Sequence, residues 1–219
     1  MLYLFDIDGT LIDTGGAGMR AMHEATLEIF GASGPVLDFA GSTDLGIVAH
    51  IHAHWGIEPD RGQVAGFLEI YHERLAWNLA HGNFPGRIIA GVPEVLAALA
   101  ERPHATLGLL TGNTAAGAAA KLRHFQLDAY FPFGAYGSDH VDRNQLGPIA
   151  LARAAAHAGR AFTPAETLVI GDTPKDIACA HAIGARCLAV ATGRYSTADL
   201  AVHGADAVVS TLDEALAWL

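Results

Sequence analysis

The 219-residue sequence predicts an α/β protein whose core is a Rossmann-like parallel sheet with helices on both faces, joined to an inserted all-helical cap domain. From Pro93 onward, short apolar runs alternate with helical segments, as expected when helices connect parallel strands. The first apolar run, Leu2–Phe5, shows no polar alternation, which is typical of a strand buried on both faces. Between about residues 17 and 81 the pattern is helical and contains no convincing strand, which predicts the insert.

Hydrophobic periodicity places the elements along the chain. The predicted strands cover residues 2–5, 106–110, 130–135, 167–170, 187–191 and 207–209. The predicted helices cover residues 17–30, 44–55, 60–79, 93–100, 115–125, 148–157, 174–183 and 213–218. Gly15-Gly16 and Phe84-Pro85-Gly86 interrupt these patterns at the two ends of the insert. We therefore predict an α/β core of residues 1–14 and 86–219 and a helical cap of residues 15–85.

Composition restricts the classes of partner. Hydrophobic residues make up 51% of the chain and charged residues 16%, which excludes a disordered protein. A formal charge of −10 argues against a nucleic-acid partner, because no basic face is available to neutralise phosphates. No apolar stretch is long enough to span a membrane, and two cysteines in separate elements favour free thiols. We expect a cytoplasmic protein, either a monomer or a weak homodimer.

Two carboxylates follow the first predicted strand directly. Asp6 and Asp8 would lie beyond the carboxyl end of this strand, where open α/β sheets bind ligands. Two neighbouring negative charges are costly unless a cation compensates them, which favours a hard divalent metal such as Mg²⁺. Gly9 permits a tight turn, and Thr10 adds donors for an anion.

Three further signals follow later strands. Thr111, Gly112 and Asn113 lie between a strand and a helix, where a hydroxyl and free amides favour a phosphate group. Asp172 comes directly after another strand, and Asp176 lies one helical turn further on the same side. A helix cap would account for Asp172 but not for the second carboxylate, so both are predicted metal ligands.

Phosphate chemistry also needs positive charge beyond a metal. The candidates are Arg143 and Lys175.

The chain resembles the haloacid dehalogenase-like hydrolase superfamily over essentially its whole length, and its insert resembles the helical cap of phosphoglycolate phosphatase-like members. It carries the motifs in order: Asp6-x-Asp8-Gly9-Thr10, Thr111, a basic residue, and Gly171-Asp172-x-x-x-Asp176. The resemblance implies that Asp6 attacks phosphorus and that Asp8 protonates the leaving group and then activates water. It also implies that Thr111 and the basic residue bind phosphate, while Asp172 and Asp176 hold Mg²⁺ directly or through water.

The basic motif departs from the usual pattern of these relatives, which have Lys-Pro-x-Pro before the next helix. Here Arg143 begins the corresponding stretch, Arg-Asn-Gln-Leu. Arginine keeps the charge and can bind two oxygens at once.

The expected activity is hydrolysis of a small phosphorylated metabolite, with phosphoglycolate or a sugar phosphate as the leading substrates. The presence of Asp8 argues against a dehalogenase, and the lack of any lysine before Lys121 argues against an imine-forming phosphonatase. A sugar-phosphate mutase of the β-phosphoglucomutase type and a phospho-acceptor signalling domain remain as alternatives. A catalytically silent homologue is disfavoured, because all four acids are present.

Overall fold

The computed structural model describes residues 1–218, and within them six strands form one parallel sheet. These strands are β1 (Leu2–Phe5), β4 (Thr106–Thr111), β5 (Gly134–Tyr136), β6 (Thr167–Gly171), β7 (Arg186–Val190) and β8 (Ala207–Val209). Their order in the sheet is β5-β4-β1-β6-β7-β8. The first strand lies at the centre, because it pairs with β4 on one side and β6 on the other.

The sheet is covered on both faces, as the apolar runs predict. In β1, Tyr3 and Phe5 join one buried cluster, whereas Leu2 and Leu4 join a second. Successive side chains of a strand point to opposite faces, so these clusters are the two cores of a three-layer α/β protein. The helices are α1 (Ala17–Phe30), α2 (Asp44–His54), α3 (Arg61–His81), α4 (Val92–Ala100), α5 (Ala115–His124), α6 (Leu146–Ala158), α7 (Pro174–Ala182) and α8 (Thr197–Ala201). Helices α4 and α5 pack on the first cluster, and α6, α7 and α8 pack on the second.

The predicted insert contains α1, α2 and α3, which share a third apolar cluster around Met22, Phe67 and Tyr71. Its two connections run side by side, because β2 (Ile12–Asp13) and β3 (Arg87–Ile88) pair as an antiparallel ribbon. The division into a core and a cap at residues 15–85 remains a prediction.

Several short elements differ from the sequence-based expectation. The strand expected at 130–135 begins later, at Gly134, because a 3₁₀ turn occupies Asp128–Tyr130. The C-terminal helix expected at 213–218 is a 3₁₀ helix, Asp213–Ala217. The ribbon and α8 were not predicted, since two to five residues carry too little periodicity. Among the described residues, no helix has both the length and the apolar character needed to cross a membrane.

Candidate active site

The candidate site lies where three neighbouring strands end. Asp6, Thr111 and Asp172 stand at or just beyond the carboxyl ends of β1, β4 and β6, which are adjacent in the sheet. These ends open into a cavity of about 580 Å³, which the insert covers. This is the position at which parallel α/β sheets bind their ligands.

Three carboxylates converge at the edge of this cavity, which Asp6 and Asp172 line. Asp6, Asp172 and Asp176 each offer an oxygen, and these oxygens all lie within 4.8 Å of one another. The three residues are at most 4% exposed. Asp6 and Asp172 lie 166 positions apart in the sequence, and they meet because β1 and β6 are hydrogen-bonded neighbours.

One guanidinium faces this group. Arg143, which is 7% exposed, places Nη2 3.2 Å from Asp6 Oδ1 and in direct contact with Asp176. The same nitrogen donates to the carbonyl of Leu110 at 3.3 Å, and Nη1 donates to the carbonyl of Gly41 at 3.1 Å. Burial opposes the charge on Arg143, but the two carboxylates outweigh it and raise the pKa of the guanidinium.

Negative charge still exceeds positive charge at this point. Burial raises the pKa of Asp6 to about 6, although Arg143 opposes the shift. Burial, together with the Asp176 and Asp6 carboxylates, raises the pKa of Asp172 well above its ordinary range. Three converging carboxylates with one guanidinium form a donor set that suits a hard divalent cation. The acidic group is therefore able to bind a metal ion.

Asp176 has a second, structural role. Thr173 is the N-cap of α7, and the Asp176 carboxylate accepts from the Thr173 amide at 3.0 Å and hydroxyl at 2.6 Å. This is a capping box. The helix cap is formed by Thr173 and Asp176, and Asp172 takes no part in it. The structure thus rules out the alternative of Asp172 as the cap residue, and the cap accounts instead for Asp176.

Asp8 lies beside the carboxylate group but does not join it. Its oxygens accept from Lys121 Nζ at 2.8 and 2.6 Å and from Asn113 Nδ2 at 2.8 Å. The Asp8 side chain is 43% exposed towards the cavity, whereas that of Lys121 is 5% exposed. The structure thus separates Asp8 from the three carboxylates that could hold a metal, and its role as a metal ligand stays a prediction.

Thr10 holds Asp172 in place by a hydrogen bond, and Gly9 leaves room for the Asp172 carboxylate. The Thr10 hydroxyl donates to Asp172 Oδ1 at 3.1 Å. Gly9 has φ +80°, and a Cβ there would lie 2.4 Å from Asp172 Oδ2, so the turn needs glycine. Thr10 therefore positions a carboxylate in this structure.

The second motif divides its contacts between the two predicted domains. The Thr111 hydroxyl hydrogen-bonds to Asp6 and accepts from Asn113 Nδ2 at 2.9 Å. Asn113 Oδ1 accepts from Lys121 Nζ at 2.6 Å. The Gly112 carbonyl accepts from the amide of Asp44, the first residue of α2, at 2.7 Å. This loop links Asp6 to Asp8 and also anchors the insert.

The two predicted cations lie in different surroundings. Lys175 has a side chain 44% exposed and donates to Ser42 Oγ at 2.7 Å and Asp38 at 3.2 Å. Arg143, not Lys175, therefore contacts the carboxylates.

Sequence reasoning missed Lys121. Lys121 lies seven residues after Thr114, about two turns along α5, and so shares a helix face with it, but this spacing does not indicate which partner Lys121 meets. It also did not predict the contacts of the segment from Gly41 to Asp44, whose backbone contacts Arg143 and Gly112.

The fold and this arrangement of acids define a class of hydrolase. The profile of the haloacid dehalogenase-like hydrolase family matches residues 1–184, and the chain belongs to this family.

The similar proteins with assigned activities are phosphatases. The chain is 29% identical over 211 residues to a 5'-nucleotidase of Pseudomonas aeruginosa, covering 91% of this chain and 86% of the relative. It is 27% identical over 225 residues to phosphoglycolate phosphatase 1 of the same organism, covering 98% and 78%. The protein is accordingly a phosphoric monoester hydrolase.

Solved structures share the fold. A hydrolase from Pseudomonas syringae superposes with a TM-score of 0.72 at 21% identity, covering 100% of this chain and 97% of that one. CbbY from Rhodobacter sphaeroides in complex with phosphate superposes with a TM-score of 0.73 at 22% identity, covering 98% and 95%.

Proposed function

We propose that this protein is a Mg²⁺-dependent phosphatase that hydrolyses a small organic phosphomonoester through an aspartyl phosphate on Asp6. The observation that carries the proposal is the buried group of Asp6, Asp172 and Asp176 facing Arg143 at the end of the central strand. Asp6 is the member of this group that also hydrogen-bonds to Thr111.

In the first step, an Asp6 oxygen forms a bond to phosphorus while the bond from phosphorus to the leaving oxygen breaks. Asp8 gives its proton to that oxygen, which leaves as an alcohol. Arg143 and the Thr111 hydroxyl bind phosphoryl oxygens, and the Gly112 amide adds a donor, whereas the Asn113 amide already donates to Thr111 Oγ1. Bound Mg²⁺ would be held by Asp6, Asp172 and Asp176 and would reduce the repulsion between the attacking carboxylate and the phosphoryl group.

In the second step, a water oxygen attacks the same phosphorus, and its proton passes to Asp8. Inorganic phosphate leaves and the Asp6 carboxylate is restored. Asp8 suits both steps, because its side chain reaches the cavity and lies outside the group of three carboxylates. Lys121 and Asn113 hold it there.

The substrate class proposed from the sequence is a small phosphorylated metabolite, with phosphoglycolate and sugar phosphates as leading examples. The names of similar proteins support a small phosphomonoester: a 5'-nucleotidase, an N-acetylmuramic acid 6-phosphate phosphatase and a phosphoglycolate phosphatase. We further propose a cytoplasmic location and a monomer or weak homodimer. The two free, buried cysteines, Cys179 and Cys187, are compatible with a reducing compartment.

Release of inorganic phosphate from an aryl phosphate, measured with MgCl₂ and with EDTA, tests the proposal. We expect turnover with Mg²⁺ that EDTA abolishes, and no turnover for Asp6→Asn. Glu101→Gln, which removes an exposed carboxylate from the end of α4, should keep wild-type activity. Activity retained by Asp6→Asn would contradict the assignment of the nucleophile.

The same experiment separates the alternatives. A stable phosphoprotein without phosphate release would favour a phospho-acceptor signalling domain. Conversion of a hexose 1-phosphate into its 6-phosphate isomer, without phosphate release, would favour a mutase.

A further inference from the structure

The cavity above the carboxylates has one mostly apolar wall and one polar wall. The helical insert forms its upper wall, and the side chains that line this wall are mostly apolar or aromatic: Met19, Met22, Leu37, Phe39, Ile47 and Tyr71. The lower wall is the polar site at the strand ends. A phosphomonoester bound with its phosphoryl group on Asp6 must therefore place its organic part against the apolar wall.

The insert contributes no cation to this cavity among the described residues. Asp44 is the one charged residue that residues 15–85 add to the lining. Arg20 and Arg74 do not line the cavity and pair instead with Glu24 and Glu28 on the protein surface. An anionic organic part would thus meet apolar side chains and another carboxylate.

The cationic side chains from outside the insert either pair with other groups of the protein or are largely exposed to solvent. Lys121 directs its ammonium group at Asp8 and Asn113, and Arg143 contacts two carboxylates. Arg87 lies 3.3 Å from Asp13 with 66% of its side chain exposed, and Arg194 is 75% exposed. A carboxylate on the substrate would lose water without gaining a buried cation, which is costly.

Resting on the proposed function, we propose that the substrate is a phosphomonoester of an uncharged hydroxy compound with a ring-sized, largely apolar organic part. A cavity of about 580 Å³ is within the range that holds ligands of this size. Phe39, which is partly exposed, offers an aromatic surface against which a ring can pack. This inference narrows the substrate class proposed above: carboxylated phosphomonoesters are poor substrates on this reasoning, so phosphoglycolate is no longer a leading example.

Two matched aryl phosphates test the inference. 4-Ethylphenyl phosphate and 4-(carboxymethyl)phenyl phosphate have similar shape and similar leaving-group acidity, but the second carries an extra carboxylate. We expect kcat/KM to be lower for the carboxylated compound by about tenfold or more. Equal or higher kcat/KM for the carboxylated compound would overturn the inference.

A positive charge added to the wall should weaken or cancel this preference. Met19 is 50% exposed in the first turn of α1, so Met19→Arg should fold and place a cation at the edge of the cavity. We expect the ratio of the two kcat/KM values to move about tenfold towards the carboxylated compound. Leu27→Arg is the matched control, since Leu27 is 54% exposed on the same helix and does not line the cavity. Identical ratios in the two variants would overturn the assignment of this wall to the organic part.

The outcomes also separate this inference from the proposed function. Preferred hydrolysis of the carboxylated compound, with Mg²⁺ and lost in Asp6→Asn, would leave the phosphatase proposal standing and reject the uncharged substrate. Failure to hydrolyse either compound in the presence of Mg²⁺ would overturn both.

Discussion

Replacing Arg143 by methionine should destabilise the fold in a manner that depends on pH and on divalent metal. Arg143 is the cation that contacts the buried carboxylates of Asp6 and Asp176. Methionine fills a similar volume but leaves both carboxylates without that charge. The variant therefore isolates the electrostatic contribution of the guanidinium from its packing.

The expected loss is large because both partners are buried. The side chains of Arg143, Asp6 and Asp176 are exposed by 6%, 6% and 0%. Removing one partner of a buried ion pair costs about 3–5 kcal/mol, since an uncompensated charge remains. As the pH falls, Asp6, whose pKa burial raises to about 6, takes up a proton in the folded state, so the loss should shrink.

Urea unfolding of wild type and Arg143→Met at about pH 8 and about pH 5, with EDTA or with millimolar MgCl₂, measures these effects. A cation that binds the folded state alone stabilises it by mass action, so Mg²⁺ should recover part of the loss. Arg74→Met is the control, because Arg74 lies 2.6 Å from Glu28 but both side chains are about half exposed, at 48% and 45%. Exposed pairs contribute little, so this variant should change little.

A loss below about 1 kcal/mol for Arg143→Met at pH 8 in EDTA would refute the reasoning. It would mean that Asp6 is already protonated, or that both carboxylates are compensated in another way, in the folded protein. A loss of the same size at both pH values would show that packing, and not charge, is responsible.

Three further variants test other contacts. Lys121→Met should lower kcat for an aryl phosphate by about 100-fold with a smaller change in KM, because Asp8 loses the ammonium group that positions it. An unchanged kcat would contradict this role of Lys121. Asp44→Asn should raise the unfolding free energy by about 3 kcal/mol at pH 8 and by under about 1 kcal/mol near pH 4. The reason is that burial raises the pKa of Asp44 from 3.8 to about 6, so wild-type stability falls as the pH rises through that window; a pH-independent difference would argue against it. Gly9→Ala should cost about 1–3 kcal/mol, read from thermal unfolding, because φ is +80° and the new Cβ would meet Asp172; a wild-type midpoint would exclude that contact.

The sheet and the meeting of its acids were predictable because they follow from long apolar runs. Leu2–Phe5 is buried on both faces as its composition indicates, and parallel strands end at a common edge. Asp6 and Asp172 had therefore to lie near each other if their strands were neighbours. The contact between Arg143 and the acids was harder to predict. Arg143 follows a strand of only three residues, in a region where the hydrophobic pattern is weak.

The remaining contacts had no local signature. Lys121 meets Asp8 across 113 positions, and the sequence cannot indicate which buried partner a lysine will find. The docking of Asp44 on Gly112 depends on how the insert lies over the sheet, which is a matter of tertiary packing. The ribbon of Ile12–Asp13 with Arg87–Ile88 is too short for any periodic signal.

The capping box of Thr173 and Asp176 couples two properties that mutagenesis usually tries to separate. A substitution that removes the Asp176 carboxylate takes an acidic group from the site and also loosens the first turn of α7. An inactive variant could therefore result from lost chemistry or from a frayed helix. Asp172, whose carboxylate accepts from Thr10 and caps nothing, gives the cleaner reading. In a deep mutational scan we would therefore expect Asp176 substitutions to lower protein abundance and turnover together, and Asp172 substitutions to lower turnover alone.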